Sequence, residues 1–185
     1  AIFNRICFTP KLFARPYLNF TKCHRSCLTD YNIHAMDRIK PYLKAMRINQ
    51  WTKNAFIFAP LIFDGKLTHF PSFLRILIGT IIFSVLYSGI YVFNDIVDIE
   101  ADRLHPRKKN RPIASGTISI KNARIFSIVL IASALLCGGF LQSEFLLILV
   151  LVLFINIIYT FFLKRIPISD VIAIGVLFLL RLVAG

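Results

Sequence analysis

From Phe73 to Gly185 the sequence is dominated by long apolar runs, and these runs decide what such a chain can fold into. Four of them, near Phe73 to Phe93, Ile125 to Leu141, Phe145 to Leu163, and Ile168 onward, approach the ~20 residues that a helix needs to cross a bilayer. Within hydrocarbon every backbone N–H and C=O must be satisfied inside the segment, so runs of this length predict membrane-spanning helices. A fifth helix is expected before them. Ala55 to Phe63 is too short alone, but it reads backward through Trp51 to Tyr42 as one helix carrying polar groups. On that helix Arg47, Gln50 and Asn54 stand three and four residues apart and share a face, which should be turned to a cavity rather than to lipid.

Composition excludes an ordinary soluble domain: 57% of the 185 residues are hydrophobic, 17% are charged, and the mean hydropathy is +0.69. The 22 Lys and Arg against 9 Asp and Glu give a formal net charge of +13. In a membrane protein such an excess marks loops on the cytoplasmic face and meets anionic headgroups. Membrane lipid is therefore the expected partner, and no nucleic acid is expected.

The distribution of basic residues predicts an orientation. The stretch from Asn94 to Arg124 contains Arg103, Arg107, Lys108, Lys109, Arg111, Lys121 and Arg124, whereas the turn Gln142-Ser143-Glu144 contains no basic residue. The positive-inside rule places the first connection on the cytoplasmic or matrix side, together with Lys164-Arg165 two spans later and the N-terminal arm.

Residues 1–35 carry Arg5, Lys11, Arg15, Lys22 and Arg25 before the first acid, Asp30, and contain no apolar h-region. They read as a basic leader or extension that resembles an organellar transit peptide, with Met36 as an equally good internal start. The expected organisation is a leader over 1–35 and a transmembrane domain over 36–185. The cytoplasmic membrane is expected to hold it, or an organellar inner membrane if the leader is a transit peptide. The opening Ala1 and the apolar run that reaches Gly185 suggest a fragment. Cys7, Cys23, Cys27 and Cys137 lack the paired spacing of a zinc site and read as free thiols.

One constellation carries chemistry. Four of the 9 acids, Asp95, Asp98, Glu100 and Asp102, fall directly after an apolar span. If the helix continues past Asn94, then Asp95, Asp98 and Asp102 at i, i+3 and i+7 project from one face, with Asn94 beside Asp98. Carboxylates so placed repel one another unless a cation bridges them. Hard oxygen donors suit Mg²⁺, which takes one or two carboxylates and completes its shell with water and substrate phosphates. Asp95, Asp98 and Asp102 are thus the expected metal ligands and catalytic residues, and Glu100 a solvated charge. Arg103 and Arg111 are expected to contact phosphates. Lys108 and Lys109 serve either phosphate binding or topology, and His105, before Pro106, is read as structural.

Two further sets point to the same side. Asn156 and Tyr159 are i, i+3 in an otherwise apolar span that exits at Lys164-Arg165, predicting a polar path from the membrane interior to the basic surface. Asp170 and Arg181, eleven residues apart, fall on one face of the last helix, either as functional groups or as structural pairs.

Taken in order, these residues resemble the UbiA prenyltransferase superfamily, whose first signature is NDxxDxxxD, intact here from Asn94 through Asp102. The likeness is closer to the decaprenyl-phosphate phosphoribosyltransferase branch. Arg47-Ile48-Asn49-Gln50-Trp51-Thr52-Lys53-Asn54 resembles that branch's RPxQWxKN, with Ile48 for the frequent proline. Asp102-Arg103-Leu104-His105-Pro106 followed by Arg111-Pro112-Ile113-Ala114-Ser115-Gly116 resembles its DRxHPxKxxRPIASG, and the stretch from Tyr159 through Lys164 and Asp170 to Arg181 also fits. The resemblance covers about residues 40 to 185.

The resemblance implies an all-α, polytopic bundle of about nine transmembrane helices around a central cavity, of which this chain holds about five. The superfamily's second acidic motif is expected after the sixth helix. It further implies Mg²⁺ neutralising a departing diphosphate, and a substrate-binding set of Arg47, Gln50, Lys53, Asn54, Asn94, Arg103, Arg111, Asn156, Tyr159, Lys164, Asp170 and Arg181. The branch implies phosphoribosyl transfer from phosphoribosyl diphosphate to a polyprenyl phosphate. The alternatives are polyprenyl transfer from a polyprenyl diphosphate to an aromatic acceptor, as in quinone biosynthesis, and an inactive truncated paralogue. A transporter reading leaves the acidic cluster unexplained, since residues for ion passage belong at membrane depth.

Overall fold

A computed structural model describes Met36, residues 38–162 and residues 167–185, with the side chains of 167–170 outside the description. The leader, Lys164 and the Asp170 side chain therefore lie outside the described residues. Ile39–Gly185 forms one compact unit. Its elements are all helical: α1 (39–46), a 3₁₀ helix (Ile48–Phe58), α2 (Ala59–Phe63), α3 (Phe70–Val97), α4 (Ile99–Leu104), a 3₁₀ turn (Lys108–Asn110), α5 (Ile120–Leu141), α6 (Ser143–Phe161) and α7 (Pro167–Val183).

Among the described residues α3, α5 and α6 are long and apolar enough to cross a membrane, and residues Val171–Val183 of α7 form a shorter apolar helix. Their outer faces carry large apolar side chains with nothing to cover them, such as Ile125, Phe140, Leu147, Phe154 and Ile172. A continuous apolar surface on this scale is incompatible with water and suits hydrocarbon. The chain is a multi-pass α-helical membrane protein.

The bundle is organised around α3. It packs against the 3₁₀ helix, α5 and α6, while α7 closes the arrangement against α6 and the 3₁₀ helix. Small residues bring these backbones together, as helices in lipid require. At Gly89 a Cβ would lie 2.7 Å from Ile131 Cγ1 and 3.2 Å from the Ile131 backbone nitrogen, so only glycine permits the α3–α5 approach there. Ser127 of α5 fastens the same crossing by donating to the Gly89 carbonyl at 2.8 Å. Around it lies an apolar core including Ile57, Phe83, Leu86, Leu149 and Val152.

The helix termini follow local chemistry. Pro71 lies in the first turn of α3, where its missing N–H costs nothing. Ser119 caps α5 by accepting from the Asn122 amide at 3.3 Å. Between α5 and α6, Gln142 is extended and Glu144 sits in the first turn of α6, where the helix dipole favours an acid.

One expectation is corrected. Tyr42 to Phe63 is not one α-helix: Arg47 adopts a left-handed backbone (φ 53°, ψ 48°) and the chain continues in 3₁₀ form. A 3₁₀ helix repeats every three residues. The inward line is accordingly half-buried Trp51 with buried Asn54 and Ile57, while Gln50 is half-buried and Lys53 exposed. Asn54 therefore leaves the face expected to unite Arg47, Gln50 and Asn54.

Candidate functional site

The helix does continue past Asn94. Asn94 and Asp95 occupy the last turn of α3, Asp98 is the junction, and Asp102 lies in α4. The amides of Asp98 and Asp102 still donate to the carbonyls four residues earlier, at 2.9 and 2.8 Å, so helical register is kept through the junction. Asp95 and Asp102 fall on the inner side and are 3% and 2% exposed; Asp98 is half-buried and Glu100 exposed.

Both buried carboxylates are held by arginine. Arg111 Nη1 donates to Asp102 Oδ2 at 2.6 Å and to Asp95 Oδ1 at 3.1 Å, and Arg47 Nη2 donates to the same Asp95 oxygen at 2.5 Å. Charged groups out of water need such pairing. The left-handed backbone at Arg47 has a counterpart here, since it turns the side chain from α1 toward Asp95. Arg111 is delivered by a loop whose own core is Ile113 and Ala114, and exposed Arg103 steadies that loop by donating from Nε to the Ala114 carbonyl at 3.3 Å. His105 accepts the amides of Arg107 and Lys108 through Nδ1, a structural turn contact.

Asp95 and Asp102 fit a divalent cation in donor chemistry and placement: one positively charged nitrogen already lies within 3.1 Å of both carboxylates. Among the described residues no three His, Cys, Asp or Glu side chains form a metal-holding group. The pair, rather than the expected trio, is the converging unit, and Mg²⁺ commonly uses one or two carboxylates with substrate oxygens.

From Asp95 a column of interacting side chains runs inward along α3. Phe83, Tyr87, Tyr91 and Asp95 recur every four residues, and the ring centroids of Phe83–Tyr87 and Tyr87–Tyr91 are 5.2 and 6.0 Å apart. Arg47 lies 5.0 Å over Tyr91, and Arg181 of α7 lies 4.5 Å over Tyr87. Arg181 is 9% exposed and donates from Nε to Asn54 Oδ1 at 3.1 Å and from Nη1 to the Leu177 carbonyl at 3.3 Å. Asn54 in turn donates to Ser84 of α3 at 2.9 Å. Trp51 donates to Ser88 Oγ at 3.0 Å.

On α6, Asn156 and Thr160 face inward and Tyr159 is half-buried. Thr160 Oγ1 donates to Asn94 Oδ1 at 2.6 Å, tying α6 to the acidic motif. An apolar cavity of about 200 Å³ lies beside that contact, between α3, α5 and α6, with Asn94, Asn156, Phe93 and Ile131 among its lining residues.

The structure thus brings together Arg47, Asn94, Asp95, Asp102, Arg111 and, farther in, Asn54, Asn156 and Arg181. It does not bring in Lys53 or Arg103, which are exposed. Sequence reasoning missed Tyr87, Tyr91, Ser84, Ser88 and Thr160. The four-residue spacings Phe83-Tyr87-Tyr91-Asp95 and Ser84-Ser88 were the available signal, hidden in a helix that is apolar on every side.

A membrane bundle with an arginine-bridged pair of buried aspartates at the end of a spanning helix defines a class: an integral membrane protein with a buried ionic cluster at one helix end. The chain belongs to the UbiA prenyltransferase family, whose family model matches residues 55–185. It is 31% identical, over 77% of its length and 49% of the relative's, to decaprenyl-phosphate phosphoribosyltransferase of Mycobacterium tuberculosis. It is 37% identical, over 80% of its length and 28% of the relative's, to the uncharacterized protein y4nM of Sinorhizobium fredii. A solved structure of a digeranylgeranylglyceryl phosphate synthase is similar with a TM-score of 0.67 and 27% identity, covering 80% of this chain and 54% of that one. The chain therefore spans about half, or less, of the proteins it matches.

Proposed function

We propose that this chain belongs to a Mg²⁺-dependent membrane transferase that moves phosphoribosyl from phosphoribosyl diphosphate to a polyprenyl phosphate. The observation that carries the reading is the convergence of Arg47 and Arg111 on Asp95 and Asp102 at one end of α3. Two carboxylates for a hard cation and two guanidiniums for phosphate oxygens are what a diphosphate leaving group requires. The choice of donor is supported by the similarity to decaprenyl-phosphate phosphoribosyltransferase and by the Arg111-to-Gly116 stretch.

In this reading Asp95 and Asp102, with Asp98 beside them, would hold Mg²⁺, which would supply neutralisation of the charge on the departing diphosphate. Arg47 and Arg111 exchange a carboxylate partner for phosphate oxygens when the donor arrives. An oxygen of the polyprenyl phosphate attacks C1 of the ribosyl group, and the C1–O bond to diphosphate breaks with its electron pair leaving on the diphosphate. No side-chain nucleophile is needed. The isoprenoid tail lies against apolar helix faces, and the basic connections face the cytoplasm or matrix, where the soluble donor arrives.

A second reading, prenyl transfer from a polyprenyl diphosphate to an aromatic acceptor, keeps the same metal site. The structural likeness to a digeranylgeranylglyceryl phosphate synthase supports its prenyl-transfer half and does not bear on the aromatic acceptor. The two separate when purified full-length protein in Mg²⁺ receives labelled phosphoribosyl diphosphate with polyprenyl phosphate or, in parallel, polyprenyl diphosphate with 4-hydroxybenzoate. Product only in the first mixture is expected; product only in the second overturns the phosphoribosyl reading.

A further inference from the structure

Two helical turns inward from Asp95 sits a cation that no anion among the described residues meets. Arg181 is 91% buried against α3 and the 3₁₀ helix. Its guanidinium has five N–H donors, and the structure supplies two acceptors, Asn54 Oδ1 and the Leu177 carbonyl. Among the described residues no carboxylate pairs with it, and the acid on its own helix, Asp170, is eleven residues away, about 16 Å along the axis. A buried charge at membrane depth is costly unless a counter-ion offsets it, and such groups mark substrate paths.

The neighbouring group has the same deficit. Tyr87, 4% exposed, lies with its ring under the Arg181 guanidinium at 4.5 Å, and its hydroxyl has no hydrogen-bond partner among the described residues. The Asn156 side chain is the near polar neighbour of that hydroxyl, and no hydrogen bond of good geometry joins them. A cation without a carboxylate among the described residues and a hydroxyl without a partner, side by side, call for one ligand, an anion with several acceptor oxygens.

We propose that Arg181 and Tyr87 form a second anion subsite that takes the phosphate head of the polyprenyl phosphate, distinct from the diphosphate site at Asp95 and Asp102. The proposal rests on the phosphoribosyl-transfer reading. Spacing supports it: Tyr87 and Asp95 are eight residues apart on α3, about 12 Å. That interval accommodates a metal at ~2 Å from its carboxylates, the ribosyl group, and an attacking oxygen ~3–3.5 Å from C1. The acceptor phosphate then lies on the side of C1 opposite the diphosphate, as displacement requires. Asn54 holds Arg181 through its Oδ1 and is itself fixed by Ser84, so it positions the guanidinium.

The test measures binding of farnesyl phosphate, of inorganic phosphate, and of phosphoribosyl diphosphate with Mg²⁺ to full-length protein in nanodiscs. Arg181→Gln and Tyr87→Phe should weaken farnesyl phosphate binding by roughly tenfold to a hundredfold, as for lost hydrogen bonds to a charged group. Both should leave phosphoribosyl diphosphate affinity within about twofold, while Asp95→Asn does the reverse. Tyr87→Phe removes a hydroxyl without a partner, so its ligand-free melting temperature should be unchanged or higher, which separates binding loss from misfolding. Unaltered farnesyl phosphate affinity in both variants, or loss of donor affinity instead, overturns the subsite. Equal affinity for inorganic and farnesyl phosphate overturns its assignment to the lipid. Should wild-type protein bind farnesyl phosphate through these residues yet transfer no phosphoribosyl group, the transfer reading fails and the subsite stands.

Discussion

Arg47 reaches Asp95 across 48 positions of sequence, placing Nη2 2.5 Å from Oδ1, and it does so from the left-handed backbone conformation found at no other described non-glycine residue. That conformation costs a non-glycine residue of order 1–2 kcal/mol, so strain and ion pair oppose each other at one position. Arg47→Ala should lose the pair and keep the strain, whereas Arg47→Gly loses the pair and relieves it. Thermal unfolding in detergent should rank the glycine variant above the alanine variant by about 1 kcal/mol. The opposite order would show that the left-handed turn carries no strain.

Arg111 competes with any metal for Asp95 and Asp102, because its Nη1 donates to both. Removing it in Arg111→Met should strengthen Mg²⁺ binding in the absence of donor by about tenfold, the lower end of what a charged hydrogen bond contributes. The same change should weaken phosphoribosyl diphosphate binding. Calorimetric titration of each ligand separately checks both directions, and Mg²⁺ affinity that falls in the variant would contradict the competition.

Asp95→Asn should lower turnover by orders of magnitude, because its two arginines and the proposed metal all meet one carboxylate. Asp98→Asn should do the same if Asp98 joins the metal when donor is bound. Full activity in EDTA would remove the metal from the mechanism altogether.

The expected orientation is open to direct labelling. A cysteine at Lys109 should react with an impermeant thiol reagent only from the cytoplasmic or matrix side, and one at Ser143 only from the other. The two positions flank α5, which is long enough to cross once. Labelling of both from the same side would require that α5 not span.

Gly89→Ala should destabilise the bundle by roughly 1–3 kcal/mol, since the added methyl would meet the Ile131 backbone as well as its side chain. Gly175→Ala, where nothing lies within 4 Å of the new atom, is the control and should leave the melting temperature unchanged or raise it, since alanine favours the helix over glycine.

The sequence by itself determined the membrane class, because apolar runs about 20 residues long have a single solution in hydrocarbon. It also determined where the acids of the candidate site lie, because Asn94 to Asp102 keeps helical register through the α3–α4 junction and register alone puts Asp95 and Asp102 on one side. Local spacing could not decide which partners those acids take. Arg47 is 48 residues from Asp95 and Arg111 is 16, joined only because the 3₁₀ helix and the α4–α5 loop both pack against α3. Nor could periodicity foresee the change from 3.6 to 3 residues per turn after Arg47, which set Asn54 against Ser84 and Arg181 and left Lys53 outside. In a helix that is apolar on every side no amphipathic pattern marks the inner face. The tertiary structure alone therefore decided that Tyr87, Tyr91 and Thr160 turn inward: α6 packs on that side of α3, Arg181 of α7 lies over Tyr87, and buried polar groups settle where others can meet them.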